Sequence, residues 1–360
     1  MNHLDHNKIV NWLREDNDRT LEELWQHADS IRNALVGDEV HLRGLIEFSN
    51  VCRRRCGYCG LNASNKEIQR YRMAPSEIVA CAEAAVDYGY GTVVLQCGED
   101  PALEANWLSD LIRRLKSATP LAITLSVGEH APEILENWFK AGADRYLLRF
   151  ETSDPKLYET IHPSLRGIKS DRIGQLRVLR EIGYEVGSGV MIGIPGQTYE
   201  SLARDIELFQ ELDLDMIGVG PFIPHAATNL GKTEAKAHPP RKDQVPNTEK
   251  MTYKVVALTR MACPTTNIPS TSALATLNQD SGRELGLNRG ANVVMPNLTP
   301  PEYRKLYEIY PNKVCIDETA GACHSCMKNR IRSLGRTISA GPGTSINYLE
   351  RHHQNTAIVR

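Results

Sequence analysis

The chain has 360 residues, of which 41% are hydrophobic and 24% are charged, as in globular proteins with one large or two medium domains. Its formal charge of −2 gives no electrostatic reason to expect nucleic acid or an anionic membrane as a partner. No apolar run approaches the roughly 20 residues of a membrane span, and the polar N-terminal segment lacks the apolar core of a signal peptide. We therefore expect a cytoplasmic protein.

The order of predicted elements indicates the fold class. Residues 1–40 are predicted to be helical, because Ile9, Leu13, Leu21 and Leu24 recur at roughly helical spacing. Short β-rich runs then alternate with amphipathic helical runs, and the predicted strands are 45–48, 92–96, 122–126, 145–149, 189–193, 216–219, 267–271 and 292–295. Eight β–α pairs favour an α/β fold, a complete (β/α)8 TIM-type barrel, over the alternative of a doubly wound open sheet.

The same pattern divides the chain into three parts. We predict an N-terminal helical extension over residues 1–40, a barrel over 41–310 and a C-terminal segment over 311–360. Residues after Gly335 are rich in Gly, Pro, Ser and Asn, and we expect them to form a loosely attached tail.

Chemically unusual residues follow the predicted strands. Active sites of barrels lie at the C-terminal ends of the strands. In chain order these positions hold Cys52, residues 97–100, residues 128–129, Glu151, residues 195–197, residues 221–225, Ser272 and residues 296–297. We expect them to converge on one site.

Six of the nine cysteines fall in two tight groups. In a reducing compartment such groups are better read as metal ligands or catalytic groups than as disulfides. The first group, Cys52, Cys56 and Cys59, has the spacing C-x3-C-x2-C. Three thiolates on one short loop can bind three irons of a 4Fe–4S cubane and leave the fourth iron free of protein ligands.

The free iron suggests the chemistry. It can chelate the amino and carboxylate groups of S-adenosylmethionine (SAM), so that reductive cleavage yields methionine and a 5′-deoxyadenosyl radical. Zinc is the alternative, but a structural zinc site requires four ligands and no histidine lies near this triplet. The basic run 53–55 is expected near an anionic cluster or in solvent.

The motif C-x3-C-x-φ-C, with Tyr58 before the last cysteine, resembles the radical SAM superfamily. Further segments resemble one of its families, the HydE FeFe-hydrogenase maturases, from about residue 40 to residue 335. These segments are IEFSNVCRRRCGYCG, QRYRM, VLQCGED, DRYLLRFET, GVMIGIPGQT, GVGPFIPH and GANVVMPN. The resemblance implies a complete (β/α)8 barrel, which the alternation of elements also suggests.

The resemblance also implies roles for individual residues. Those implied to contact SAM are Tyr58, beside the adenine, Gly98, Glu99 and Asp100, at the methionine amino end, and Ser126, Glu151 and Arg172. Those implied to line the substrate pocket are Arg149, Met216, Thr271, Ser272, Ala273, Met295, Tyr307 and Tyr310. The two methionines could equally be core residues, and the tyrosines could pack helices against the barrel.

The family's function implies a substrate and partners. The implied substrate is a small cysteine-bound iron carbonyl–cyanide complex, attacked by the adenosyl radical and passed on toward the dithiolate of the hydrogenase diiron site. Implied partners are a reductant and the other hydrogenase maturases. Phe150, where histidine is expected, and Cys97, where serine is usual, depart from the pattern.

The second group is Cys315, Cys323 and Cys326, after the last predicted strand and outside the expected active face. It matches the site of an auxiliary 2Fe–2S or 4Fe–4S cluster that some family members have. A zinc site completed by His324, or no metal at all, are the alternatives.

Three rival functions remain open. Biotin synthase requires cluster cysteines on several strands, whereas strands three and five end here in Ser126 and Ile194. Methylornithine synthase has a similar layout, but Gly60 and Leu61 stand where aromatic residues are expected. A non-catalytic iron–sulfur scaffold would leave Glu99, Glu151 and Arg172 without a purpose.

Overall fold

A computed structural model describes residues 4–165, 169–234 and 243–358. Its centre is a curved parallel sheet with β1 (Glu39–Ser49), β2 (Thr92–Cys97), β3 (Ala122–Ser126), β4 (Arg145–Leu147), β5 (Glu185–Ile192), β6 (Met216–Pro221) and β7 (Val293–Val294). The strand order is β6-β5-β4-β3-β2-β1-β7, and a further strand, β8 (Thr337–Ile338), pairs with the start of β1. Because all pairs are parallel, the C-terminal ends of the strands meet at one edge.

Helices cover the outside of the sheet. They are α1 (His6–Arg14), α2 (Asp18–Val36), α3 (Pro75–Asp87), α4 (Ala105–Ala118), α5 (Pro132–Ala141), α6 (Pro155–Ile161), α7 (Arg172–Ile182), α8 (Tyr199–Glu211), α9 (Asn229–Glu234), α10 (Glu249–Ala262), α11 (Ser272–Leu277), α12 (Gly282–Leu287), α13 (Pro301–Arg304), α14 (Ala320–Ser333) and α15 (Ile346–Ile358). The N-terminal helices α1 and α2 pack on α8 and α10. Their apolar faces therefore join the main core.

Local sequence explains where the helices next to the site begin and end. The Asp154 carboxylate accepts from the backbone N–H groups of Lys156 and Leu157 and so caps α6. Thr198 caps α8 in the same way by accepting from the Ser201 N–H. Helix α7 ends at Gly183, whose φ of +113° is accessible to glycine without strain.

The prediction of a complete eight-stranded barrel is confirmed only as a curved parallel α/β sheet. Residues 267–271, predicted as a strand, make only isolated parallel bridges, from Asn267 to Met216 and from Pro269 to Val293. The continuous ladder is therefore open between β6 and β7. The physical reason is Pro269, which has no N–H to donate to a ladder.

The prediction of a loosely attached C-terminal tail is wrong. Residues 342–345 lie across the N-terminal end of the sheet and bond to buried side chains there. The contacts run from Thr92 to the Pro342 carbonyl (2.7 Å), from Arg43 to the Gly343 carbonyl (2.9 Å), from Arg145 to the Thr344 hydroxyl (3.0 Å) and from the Ser345 N–H to Glu185 (3.0 Å). Buried charges need such partners, and the tail supplies them.

In the part of the chain that the structure describes, no helix is both long and apolar enough to cross a membrane.

Candidate active site

The loop after β1 carries the first cysteine triplet and is held by a dense set of hydrogen bonds. The Arg70 guanidinium donates to four backbone carbonyls of this loop, those of Asn50, Leu61, Asn62 and Asn65, at 2.6–3.2 Å. The Asn50 amide donates to two further carbonyls, of Gln69 and Leu306. These bonds give a loop without regular secondary structure a defined shape.

The three cysteines of this loop, Cys52, Cys56 and Cys59, line one cavity. Burial raises the pKa of Cys52, and it raises the pKa of Cys56 to about 12, so both are neutral thiols until a metal displaces their protons. The three sulfurs do not form a group within 4.8 Å of one another. Zn–S bonds of about 2.3 Å would require such a group, whereas ligands to separate irons of a cluster stand further apart.

Gly98 allows the cysteine loop to lie against the end of β2. A Cβ atom at this position would stand 2.3 Å from the Val51 carbonyl oxygen and 2.8 Å from the Cys52 Cβ. The missing side chain therefore lets the Cys52 backbone and the strand end share one wall of the cavity. The donor set and this close packing both fit a [4Fe–4S] cluster.

The cavity has a volume of about 330 Å³ and brings together most of the residues that sequence analysis singled out. Its lining includes Cys52, Cys56, Tyr58, Cys59, Gly98, Glu99, Ser126, Glu151 and Arg172, and also Arg149, Met216, Thr271, Ser272, Ala273, Met295, Tyr307 and Tyr310. The residues implied for SAM and for substrate thus share a single space.

Asp100 is the exception, because it does not line this cavity. Its carboxylate accepts two bonds from the Arg72 guanidinium, at 2.6 and 2.9 Å, and one from the Ser49 hydroxyl at 2.9 Å. These bonds outweigh the effect of burial and lower the pKa of Asp100. Asp100 thereby fixes the turn that carries Gly98 and Glu99.

Charged side chains of alternating sign form a chain that includes three residues of the cavity wall, Arg54, Glu99 and Arg172. Glu99 accepts from Arg53 and from Arg54, both at 2.8 Å, and these bonds lower its pKa although burial opposes them. The Glu129 carboxylate forms an ion pair with Arg54 at 3.2 Å and accepts a hydrogen bond from Arg172 at 3.0 Å. The chain of opposite charges holds both arginines in fixed orientations.

Arg54 is a residue that sequence analysis placed only within a basic run. Its side chain is 2% exposed and lines the cavity. Its Nη1 atom has no hydrogen-bond partner among the described residues. The signal was weak because the neighbouring residues, Arg53 and Arg55, are exposed and the three look alike in sequence.

Glu151 reaches the cavity from a strained backbone in the segment that follows β4. Its φ of +65° is unusual for a residue with a side chain, and such strain is concentrated at functional sites. The carboxylate accepts from Arg149 at 3.1 Å, and Arg149 also donates to the Val190 carbonyl at 2.6 Å. Both side chains are therefore oriented before any ligand binds.

The two departures from the family pattern have different surroundings. Phe150 is buried and packs at 5.7 Å, between ring centroids, against Phe209 of α8. Cys97 lines the cavity, and burial raises its pKa well above the ordinary value, so it is a neutral thiol. Phe150 serves packing, while Cys97 lies beside the cluster loop.

The cavity also contains polar residues that sequence analysis did not select. Glu47 of β1 and Lys313 form a buried ion pair there, and Gln96 donates to the Tyr307 hydroxyl at 3.3 Å. The hydroxyls of Ser272 and Tyr310 are 3.0 Å apart. Glu47 could have been recognised in the sequence, because a glutamate inside an apolar strand is unusual and indicates a site residue.

The second cysteine group lies outside the cavity. Cys315 and Cys323 form a potential metal site with Glu318, their ligand atoms lying within 4.8 Å of one another. The Cys315 thiol donates to Cys323, which lowers the pKa of Cys323 to about 6. Cys326 does not belong to this group, so the carboxylate of Glu318 is a ligand candidate that sequence analysis missed.

His324, considered above as a zinc ligand, is engaged elsewhere. Its Nδ1 lies 3.2 Å from the Tyr90 hydroxyl, and its ring stacks on Tyr88 at 4.8 Å between centroids.

Comparison with known proteins agrees with this geometry. Residues 46–209 match the model of the Radical SAM superfamily. The chain is 47% identical over 321 residues to the [FeFe] hydrogenase maturase subunit HydE of Thermotoga maritima, covering 89% of this chain and 88% of that protein. It is 29% identical over 286 residues to 3-methylornithine synthase of Methanosarcina acetivorans, covering 78% and 76%.

Solved structures with the same architecture include methylornithine synthase (PylB), with a TM-score of 0.79, 25% identity and 94% coverage of both chains. The maturase HydG from Carboxydothermus hydrogenoformans has a TM-score of 0.76 at 19% identity and covers 94% of this chain and 76% of that one. The second likeness supports the fold alone.

Proposed function

Because this chain belongs to the HydE family of radical SAM enzymes, we propose that it acts in the maturation of an FeFe-hydrogenase. The observation that carries the proposal is the convergence on one cavity of three thiols and of charged side chains from the ends of β2 and β4. When bound at Cys52, Cys56 and Cys59, a [4Fe–4S] cluster supplies the electron for cleaving SAM into methionine and a 5′-deoxyadenosyl radical.

The charged wall of the cavity suits SAM. Gly98 and Glu99 receive the methionine amino end, and Arg172 suits the carboxylate. Ser126 and Glu151 contact the nucleoside portion or the ammonium, with Tyr58 packed beside the adenine. Asp100 supports this set indirectly, through its bonds to Arg72 and Ser49.

The remaining lining suits a small substrate. We propose a cysteine-bound iron carbonyl–cyanide complex, whose product goes on toward the diiron dithiolate. Its pocket consists of Arg149, Met216, Thr271, Ser272, Ala273, Met295, Tyr307 and Tyr310, all on the cavity wall. A reductant and the other maturases are the proposed partners, without nucleic acid or membrane, and the cytoplasm is the proposed location.

Two structural expectations belong to the same proposal. Residues 267–271 take the place of the eighth strand of the barrel, which is supported by the parallel bridges of Asn267 to Met216 and of Pro269 to Val293. The second cysteine group holds an auxiliary iron–sulfur cluster; the proximity of Cys315 and Cys323 suits two thiolates that bind the same iron, as in a 2Fe–2S cluster.

The first experiment tests SAM cleavage. The protein is reconstituted anaerobically with iron and sulfide, reduced with dithionite and supplied with SAM, and 5′-deoxyadenosine is measured. We expect product from the wild type and none from the triple variant Cys52→Ala/Cys56→Ala/Cys59→Ala. Equal signals from the two proteins would favour a non-catalytic scaffold.

The second experiment tests the substrate. The same assay is run with the synthetic iron–cysteine complex and, separately, with lysine, the reactant expected for a methylornithine synthase. We expect consumption of the complex and not of lysine. The structural likeness to methylornithine synthase makes this comparison necessary, and consumption of lysine alone would replace the maturation proposal.

A further inference from the structure

The ion pair of Lys313 and Glu47 has no role in the site as described so far. The side chains are 5% and 1% exposed, and both line the cavity that holds the proposed SAM and substrate residues. Removing two charges from water is costly unless they are well bonded. A buried ion pair facing a ligand cavity therefore calls for a role in that cavity.

Glu47 is fixed from several directions. Its Oε2 atom accepts from the Asn297 amide at 2.8 Å, and its Oε1 atom faces the Lys313 ammonium. Its backbone N–H donates to the Thr299 hydroxyl at 2.8 Å, and its carbonyl accepts from the Tyr71 hydroxyl at 2.5 Å. Both carboxylate oxygens thus have partners already, and the carboxylate serves as an anchor.

Lys313, by contrast, retains donor capacity. An ammonium has three N–H groups. One is directed at Glu47 and one makes a long bond of 3.4 Å to the Tyr307 carbonyl. The nitrogen stands 5.1 Å from the centroid of the Tyr307 ring, and the hydroxyl of that ring is bonded by Gln96. The unused N–H group is the feature that a ligand can exploit.

We infer that Lys313 is a specificity-determining residue, which binds an anionic group of the substrate in the cavity. Glu47 and Asn297 orient its ammonium as positioning residues. An ammonium held in a partly enclosed, largely apolar site attracts an anion more strongly than it would in water. The hydroxyls of Ser272 and Tyr310 line the same cavity and add donors for such a group. This inference rests on the proposed function and names a determinant of its substrate site.

Four variants of the reconstituted, SAM-bound enzyme test the inference. Lys313→Met removes the ammonium, and Lys313→Arg keeps the charge. The double variant Glu47→Gln/Lys313→Met removes both charges, so no carboxylate is left buried and unpaired. Lys254→Met is the matched control, because Lys254 is also a buried lysine, 2% exposed and bonded to Leu13 and Asp16, but it does not line the cavity.

The assay measures KM and kcat for the synthetic iron–cysteine complex, together with 5′-deoxyadenosine formed without it. We expect KM to rise about 10-fold or more in Lys313→Met and in the double variant, as for loss of one bond to a charged group. Lys313→Arg should recover part of the loss, and Lys254→Met should resemble the wild type in KM, in kcat and in the substrate-free product. An unchanged KM in the double variant overturns the inference.

A turnover-independent measurement separates this inference from the proposed function. L-cysteine, which carries a carboxylate, is titrated calorimetrically into the SAM-bound wild type and into Lys313→Met. Weaker binding by the variant supports the inference, even if the wild type ignores the iron complex and the maturation proposal fails. Equal binding, including none by either protein, overturns it.

Discussion

Arg54 is a buried cation that pairs with two carboxylates, of which Glu99 belongs to the cavity wall. It bonds Glu99 at 2.8 Å and Glu129 at 3.2 Å and keeps one nitrogen unpaired beside the cavity. Breaking a buried pair by removing one partner leaves an uncompensated charge, which is far more costly than losing a surface pair.

The first prediction concerns this residue. Arg54→Met should weaken SAM binding at least about 10-fold, because Glu99 loses a partner that orients it. Calorimetric titration of SAM into the reconstituted protein measures the effect. Arg55→Met is the control, since Arg55 is the exposed neighbour on the same loop and should leave the Kd unchanged. Equal affinities for both variants would contradict the assignment of Arg54 to the SAM wall.

A second residue, Asp205 of α8, predicts a pH dependence. Its side chain is fully buried and accepts from the Ser153 N–H at 2.5 Å and, more weakly, from the Gln197 amide. Burial raises the pKa of Asp205 to about 7, against the bonds from Ser153 and Gln197, and nearby Asp154 raises it further. The folded protein therefore holds a proton that the unfolded chain has released above about pH 4.

The sign of the effect follows from this proton. A raised folded-state pKa means that stability is lost as pH rises from the unfolded pKa to about 7. Between pH 5.5 and pH 8 the free energy of unfolding should fall by about 2 kcal/mol more in the wild type than in Asp205→Asn, because the amide cannot ionise. Urea unfolding at both pH values measures this difference. If the free energy of unfolding falls by the same amount in both proteins between pH 5.5 and pH 8, Asp205 is already ionised in the folded state.

At the scale of elements, the pairing of β5 with β6 depends on glycine. A Cβ on Gly189 would stand 1.8 Å from the Gly218 carbonyl oxygen, so the two strands could not keep their register. A Cβ on Gly218 would meet nothing closer than Pro269, at 3.6 Å. Of these two glycines on facing strands, Gly218 has room for a methyl group and Gly189 has none.

The third prediction uses this contrast. Gly189→Ala should destabilise the protein by at least about 3 kcal/mol, because backbone must move to admit the methyl group. Gly218→Ala, on the partner strand, should change stability by less than about 1 kcal/mol. Denaturant midpoints of the two variants provide the comparison. Similar midpoints would mean that β5 and β6 are spaced more widely than described.

At the scale of the whole molecule, the C-terminal segment completes both ends of the sheet. Lys313 reaches the cavity at the C-terminal end of the strands, while residues 342–345 cover the N-terminal end. Beyond them, Arg351 of α15 forms a bidentate pair with Asp215 at 2.6 and 2.8 Å. The division into residues 1–40, 41–310 and 311–360 stays a prediction, with extensive contact between its second and third parts.

The fourth prediction concerns the residues that cover the N-terminal end of the sheet. Deletion of residues 341–360 should cost about 3–5 kcal/mol more than deletion of 346–360, because Arg43 and Arg145 lose buried partners only in the longer deletion. Thermal unfolding of the two truncated proteins measures the increment, expected as several degrees in Tm. Identical Tm values would show that residues 341–345 contribute nothing to the stability of the fold.

Local patterns in the sequence determined much of the sheet. Predicted strands 92–96 and 122–126 correspond to β2 (Thr92–Cys97) and β3 (Ala122–Ser126), because buried parallel strands are continuous apolar runs that are recognisable locally. The segment 267–271 (NIPST) has only Ile268 and Pro269 as apolar residues, and Pro269 interrupts its ladder. Strand β8 was not predicted, because its two residues lie in a segment rich in Gly, Pro and Ser, which is typical of a loop.

The cysteine loop was likewise determined by sequence, since C-x3-C-x2-C places three thiols on one short segment whatever the surrounding fold. Only the tertiary structure decided which other groups meet them. Lys313 and Glu47 are 266 residues apart, and Arg54 differs from Arg53 and Arg55 only in burial. Long-range pairing and burial arise when the strand ends converge, and no local pattern encodes them. Spacing therefore predicted the cluster ligands, and packing selected the charges around them.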